Sequence, residues 1–302
     1  MDIGVSLRSG YPPMDVRAGA RWMIERARAA AAAGLDSLFV GDHHNVPVPY
    51  YQNVAILGRL LAEWDDRPAG ALFLLPLWHP LHVAEQIGTL ASIARGRFIM
   101  QCAIGGGAEQ FDALGVSLRE RVTRFEASLD AIRRLCAGET VAIDQPWEIR
   151  EARIAPIPPQ PLEVWIGAAA PAGIDRAARL GDGFLIGPEA TPHEVPELIA
   201  RYRDACAQHG RAQGLIAIRR DVHVERTDDD AARIAEPIVQ RGYRGFDPSA
   251  PVWGGIAKVT DAFAALGRAG CDAVIVRHLA DDQADVLRSF EQLAEVRSGL
   301  SP

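Results

Sequence analysis

Residues 69–110 read AGALFLLPLWHPLHVAEQIGTLASIARGRFIMQCAIGGGAEQ, and this stretch decides the fold. Ala69–Leu75 is an apolar run of strand length. Pro76 and His79 break it, and His79–Ala94 follows with helical composition, ending near Gly96. Arg97–Ile104 is a second apolar run. Strand, crossover helix and strand in this order make a parallel βαβ unit, which takes about thirty or more residues. Strands that are apolar throughout, without alternation, are buried on both faces, as parallel strands are.

The same alternation extends in both directions. Upstream, Asp2–Leu7 is a strand, Val16–Ala33 a helix with Gly34 as its stop, Ser37–Gly41 (SLFVG) a strand and Asn53–Trp64 a helix. Downstream, Leu118–Ala137 is a long amphipathic helix stopped at Gly138. Val141–Ala155 alternates apolar and polar residues around Trp147 and Ile149, a short β excursion before Pro156-Ile157-Pro158-Pro159. The pattern resumes with Glu163–Ile166 (strand), Ala172–Leu180 (helix), Gly183–Ile186 (strand), Pro192–His209 (helix), Leu215–Glu225 (strand) and Asp228–Arg241 (helix). A proline- and glycine-rich loop, Phe246–Gly255, precedes Ile256–Ala269 (helix), Ala273–Val276 (strand) and Asp282–Arg297 (helix). Eight strand/helix units predict an α/β protein: a closed (β/α)8 TIM barrel, one domain over residues 1–302 with short insertions. An open doubly wound sheet is the rival, but the first βα turn lacks its glycine fingerprint.

Composition excludes several classes. With 48% hydrophobic and 24% charged residues over 302 positions, the chain can bury a core without disulfide or metal staples, so it is no disordered tail or disulfide-stapled toxin. The net charge is −7, Lys258 is the sole lysine and no basic run occurs, which argues against a nucleic-acid partner. Cys102, Cys136, Cys206 and Cys271 are far apart, with no CxxC; reduced thiols in a cytoplasm are expected. Met1-Asp2 runs directly into an apolar strand without a signal-peptide pattern. The longest apolar run, Ala71–Trp78, is too short to span a bilayer.

In a (β/α)8 barrel the reacting groups stand at the C-terminal ends of the strands. After the second strand come Asp42-His43-His44. A histidine there can exchange protons near neutral pH, and an adjacent carboxylate can set its tautomer; the plainer reading is local capping. After the third, His79 and His82 with Glu85 have partial metal-ligand spacing but no HExxH and no further ligand motif, so capping and packing are expected and no metal. After the fourth, Gly105-Gly106-Gly107-Ala108-Glu109 lets the backbone approach a flat ligand, or is simply a tight turn; it fails GxGxxG at its third position. After the fifth, Gly167-Ala168-Ala169-Ala170-Pro171-Ala172-Gly173 leads into a helix whose free N–H groups suit a phosphate, or packs closely. Arg121 and Arg124 open the long helix, where a solvated face is the default. Arg277 and His278 follow the eighth strand.

Together, SLFVGDHH (37–44), LPLWHPLHVAEQIGTLASIARGRF (75–98), AIGGGAEQFDALGV (103–116), RVTRFEASLDAIRRL (121–135), the segment from PPQP at 158 to VWIGAAA at 170, and ARLGDGF (178–184) resemble the luciferase-like monooxygenase superfamily. That superfamily includes bacterial luciferases, flavin-dependent monooxygenases and F420-dependent oxidoreductases. The resemblance implies a barrel with one flavin-like cofactor at the strand ends. It implies catalytic roles for His43, Asp42 and His44, with His43 at the family's catalytic histidine. It implies cofactor contacts at Arg121 and at a phosphate turn comprising Ala169, Ala170 and Gly173, beside the contacts that the glycine turn itself suggests at Gly105, Gly106 and Glu109. It also implies a non-prolyl cis peptide at Gly70–Ala71, or one residue later, beneath the ring. Ala103 and Ile104 replace a cysteine and an arginine of luciferase, which argues against light emission. Ala168, Ala169 and Ala170 replace hydroxyl residues of the phosphate turn, leaving that role to backbone N–H groups.

The expected function is a two-component monooxygenase that receives reduced FMN from a separate reductase and uses O2 on a small organic substrate. F420-dependent hydride transfer is the alternative, and a barrel that binds flavin without turnover is the third reading. The resemblance further implies a homodimer. Val141–Ala155 and Phe246–Gly255 are expected to line or cover a substrate pocket.

Overall fold

The computed structural model describes residues 1–12 and 14–300. In chain order the elements are β1 (Asp2–Leu7), α1 (Val16–Ala32), β2 (Ser37–Val40), α2 (Asn53–Leu60), β3 (Ala69–Leu74), α3 (Pro80–Ile93), β4 (Phe98–Ala103), α4 (Ala108–Ala113), α5 (Arg121–Cys136), β5 (Val141–Ile143), β6 (Ile149–Ala152), β7 (Glu163–Gly167), α6 (Pro171–Leu180), β8 (Gly183–Ile186), α7 (Val195–Gln208), β9 (Leu215–Glu225), α8 (Asp228–Gln240), β10 (Val252–Gly255), α9 (Ile256–Ala269), β11 (Ala273–His278) and α10 (Gln283–Leu300). The large sheet runs β10-β9-β11-β1-β2-β3-β4-β7-β8, and β8 also pairs with β9. Eight of its strands therefore form a ladder that returns on itself, the (β/α)8 class, with β10 appended to β9. β5 and β6 form a separate antiparallel hairpin, the β excursion expected there.

The described residues group into two compact units. One comprises Met1–Arg8, Arg21–Leu38 and the chain from Trp165 onward; the other comprises Ser9–Ala20 and Phe39–Val164. In the first, β1 lies parallel to β11 with Asp2 opposite Ala273, and β11 lies parallel to β9. Their apolar residues, including Ile3, Val5, Ile216, Ile218, Val274 and Val276, are buried with Phe290, Leu293 and Val296 of α10. In the second, β3 and β4 pair with Ala69 opposite Phe98, and Phe73, Met100, Val83, Ile87, Phe125 and Ile132 are buried. Several helix ends follow local chemistry. Pro80 opens α3 where its missing N–H costs nothing. Thr227 caps α8 by accepting from the Asp230 N–H at 3.1 Å. Gly270 closes α9 in the left-handed conformation (φ 112°).

Three expectations change. The loop Phe246–Gly255 contains β10, whose valine and tryptophan pair with the far end of the eleven-residue β9. Its two glycines hid it. The stretch after Gly107 forms α4, six residues long and so too short to show a period. The Gly70–Ala71 and Ala71–Leu72 bonds are trans; the cis bonds among the described residues are Gln145–Pro146 and Ala155–Pro156. Gly70 instead answers a packing need: a Cβ there would stand 1.8 Å from the Ile99 carbonyl oxygen.

Candidate active site

In the Phe39–Val164 unit, one buried carboxylate links the ends of β2 and β3, and further contacts reach the turn after β4. Asp42 follows β2 and is 6% exposed. Its Oδ2 accepts from the backbone N–H of Leu74, at the end of β3, and from Trp78 Nε1, each at 2.8 Å. Its Oδ1 lies at ion-pair distance, 3.2 Å, from His44 Nε2. The Trp78 ring meets the His44 ring edge-on at 5.4 Å and Phe73 at 5.7 Å. The backbone N–H of His44 points to Gln110 Oε1 at 3.5 Å, and Gln110 Nε2 donates to the Gly106 carbonyl. A chain of contacts thus runs from Asp42 through His44 and Gln110 to the glycine turn after β4.

That turn requires glycine at two of its three positions. Gly105 and Gly107 have φ of 67° and 83°, a region other residues rarely enter. A Cβ at Gly106 would meet nothing within 4 Å, so the backbone there faces open space. Asn45, also left-handed at φ 50°, donates through Nδ2 to the Glu109 carbonyl at 3.3 Å. Glu109 itself is exposed. His43 is exposed, with its ring 6.2 Å from that of Tyr50 and its carbonyl accepting from Gln52 Nε2.

A second group of the same unit gathers around the β5–β6 hairpin. Trp147, at its tip, lies under the Arg124 guanidinium at 4.4 Å and meets the His79 ring at 5.4 Å. Arg121 is half-buried, and its Nε is shut off from solvent without a hydrogen-bond partner among the described residues. Burial holds His79 below the ordinary histidine range, with His82 acting in the same direction. His82 pairs with Glu85 at 3.2 Å, and among the described residues no three metal-ligating side chains come together.

In the other unit, Ala170 caps α6, with Pro171 opening the helix. A Cβ on Gly173 would lie 2.9 Å from that of Ala168, so this glycine serves close packing. Beside the turn is a cavity of about 320 Å³ lined by Ala169, Pro171, Gly187, Glu189, Ala190, Glu194, Glu197, Leu198 and Arg201. Three carboxylates against one guanidinium make it acidic, a poor complement to phosphate on charge alone. Hydrogen bonds from the Thr191 N–H and hydroxyl, each at 2.8 Å, hold Glu194 below the usual carboxylate range.

The structure thus joins Asp42, His44, Gly106 and, through Asn45, Glu109, while Gly70 and Ala71 lie inside β3. Sequence reasoning missed Trp78, Gln110 and Trp147 as site residues. A signal existed: a tryptophan at a strand end needs an acceptor for its N–H, and Asp42 stands at the end of the neighbouring strand.

Residues 1–284 match the family model described as luciferase-like monooxygenase, and the chain belongs to that family. It is 31% identical over 193 residues to an F420-dependent glucose-6-phosphate dehydrogenase of Beutenbergia cavernae, covering 59% of this chain and 56% of that one. The chain therefore matches little more than half the length of this curated relative. Two solved structures share the fold. Monooxygenase RslO1 from Streptomyces bottropensis has a TM-score of 0.86 at 20% identity, covering 98% of both chains. The oxygenating constituent of 3,6-diketocamphane monooxygenase of Pseudomonas putida, in complex with FMN, has a TM-score of 0.84 at 18% identity, covering 100% of this chain and 99% of that one. No described helix is long and apolar enough to cross a membrane.

Proposed function

We propose that the protein is an oxidoreductase that works with a planar flavin-type coenzyme, F420 or FMN, on a small organic substrate. The observation that carries this reading is the linkage of Asp42, His44 and Trp78 to an open-faced glycine turn at Gly106. Family membership supports it.

The residues fit such a group. Gly105 and Gly107 set the turn, and the open side of Gly106 leaves room for a flat ring. Bound there, the coenzyme supplies two-electron redox chemistry, and the protein supplies position and proton control. Asp42 fixes the Trp78 indole, and its other oxygen stands at ion-pair distance from His44 Nε2. His43, exposed beside Tyr50, is placed to exchange a proton with a substrate at its imidazole. Trp78 and Phe73 keep water from the Asp42 side.

F420-dependent hydride transfer is supported by the Beutenbergia relative, whose identity speaks more directly to chemistry than fold likeness does. Monooxygenation with reduced FMN and O2, fed by a separate reductase, is supported by the description of the matching family model, luciferase-like monooxygenase. The test is titration of the purified protein with F420 and, anaerobically, with reduced FMN, followed by measurement of O2 uptake with FMN. Binding of F420 alone, without O2 uptake, selects hydride transfer. Binding of reduced FMN with substrate-dependent O2 uptake selects monooxygenation. A protein that binds neither coenzyme ends the proposal, and one that binds without turning over any substrate is the non-catalytic barrel.

A further inference from the structure

The second half of β9 departs from the apolar pattern of the other ladder strands: Arg219, Asp221, His223 and Glu225 alternate along it. Asp221 is fully buried. Its Oδ2 accepts from Tyr243 Oη and Arg244 Nη1, each at 2.9 Å. Its Oδ1 lies 3.5 Å from Arg219 Nε, an ion-pair distance without a hydrogen bond. On the adjacent strand, Arg277 is the register partner of Asp221, which puts both side chains on one face of the sheet. Three guanidinium groups therefore surround one carboxylate.

This arrangement is unfinished as a salt-bridge network. Arg219 Nε and Nη2 are shut off from solvent and have no hydrogen-bond acceptor among the described residues. A guanidinium offers five N–H donors and accepts nothing, so buried donors of this kind call for an oxyanion. Burial pushes the Arg219 guanidinium down to about 10, with Arg277 and Arg244 adding to the effect against Asp221; it stays cationic at neutral pH. Burial works to raise Asp221, but Arg219, Arg277 and Arg244 together hold it below the usual carboxylate range. The cluster keeps its charges, and its cations outnumber its anion.

A second, independent observation lies in the backbone. The turn after Gly242 places Arg244 at φ 52°, ψ 14°, a left-handed conformation that an arginine rarely adopts. Gly242 (φ 81°) and Gly245 (φ 71°) flank it. The strained turn delivers both Tyr243 and Arg244 to a single oxygen of Asp221, and Arg244 also lies over the Phe246 ring at 4.7 Å. Such outliers persist where the surroundings over-determine them, as at binding sites.

We propose that Arg219, Arg244 and Arg277, held in place by Asp221 and Tyr243, bind an oxyanion group, carboxylate or phosphate, carried by the substrate. The inference deepens the oxidoreductase reading and rests on it only in assigning the anion to the substrate. Asp221 acts as a buried spacer that holds the cations apart, and the anion takes the donors that Asp221 leaves unmatched.

The test uses the full-length protein without coenzyme. Inorganic phosphate and acetate are titrated at constant ionic strength, with binding read by calorimetry and thermal shift. Saturable binding of at least one anion is expected; phosphate alone assigns a phosphate ester, acetate alone a carboxylic acid. Arg277→Gln and Arg219→Gln should each weaken binding at least tenfold, while coenzyme affinity changes less than about threefold. Arg244→Gln, in a surface turn, is the variant to rely on if loss of Arg219 unfolds the chain, and it should weaken the anion in the same way. No saturable binding, or undiminished binding in all folded variants, overturns the proposal. Variants that lose coenzyme rather than anion affinity overturn it too, since the cluster would then serve the coenzyme. Because the titration needs no coenzyme, its failure leaves the reading above standing, and the failure of that reading leaves this measurement interpretable.

Discussion

Asp42 accepts two N–H donors at Oδ2, while its Oδ1 lies at ion-pair distance from His44 Nε2 without a hydrogen bond. These contacts would let it position Trp78 and the end of β3, beside the catalytic role expected from its place in the triplet. Trp78→Phe keeps an aromatic ring, though a smaller one, and removes the Nε1–H donor from a buried oxygen. It should cost about 1–3 kcal/mol of stability, seen as a lower urea midpoint at unchanged slope. His43 is exposed, so His43→Ala should leave the melting curve nearly unchanged. If its imidazole moves the proton, kcat should fall by roughly 10²–10⁴-fold, with loss of one limb of the pH profile. Should His44→Ala abolish that limb while His43→Ala leaves it intact, the two histidines exchange roles.

At the scale of elements, most strands and helices were readable because their sequence signals are local. The spans Asp2–Leu7, Leu215–Glu225 and Ile256–Ala269 agree to the residue with the expectation, since each is bounded by a turn former or a change of period. β10 was not readable, because its strand character comes from a partner over-long enough to pair with it. Close approach also escapes sequence reading. Gly70 looked like ligand-facing backbone, yet its missing side chain makes room for the Ile99 carbonyl of β4. Gly70→Ala should therefore destabilise by about 2–3 kcal/mol through overpacking, lowering Tm by roughly 3–5 °C. A substitution that left Tm unchanged would show that β3 and β4 can part more easily than their register suggests.

For the molecule as a whole, acid should be more damaging than salt. His223 and His278 are buried in the first unit without hydrogen bonds at His223 Nδ1 and Nε2 or at His278 Nε2. Burial pushes His223 down to about 4 from 6.5 and His278 well below the same value; Arg288 adds to the first and Arg26 to the second. Glu225 lies 3.4 Å from His223 Nε2 and works the other way, but Arg288, 3.5 Å from the same oxygen, offsets it. Asp285 also favours the cation, less strongly than burial opposes it. Both rings are thus neutral when folded, and the unfolded chain binds more protons below pH 6.5. Stability should be level above pH 6.5 and fall as the pH drops towards 4, by roughly 3 kcal/mol for His223 alone. His223→Gln should flatten that slope in urea titrations run across the window. The strand-end histidines were legible in the sequence because the barrel rule says where to look. The Arg219–Asp221 cluster was not singled out, although its alternation within an apolar strand was visible, because its partners Tyr243 and Arg244 come from a loop without a pattern.

One further consequence follows from the parallel pairing of the first and last ladder strands, with Asp2 opposite Ala273. On the ribosome β1 meets its neighbour β2 early, whereas its other neighbour, β11, is made far later. Phe39–Val164, by contrast, is one unbroken stretch and can mature while synthesis continues. Nascent chains stalled after residue 164 should already resist protease in that stretch, whereas the β1–β11 pairing gains protection only once Ala273–His278 has emerged.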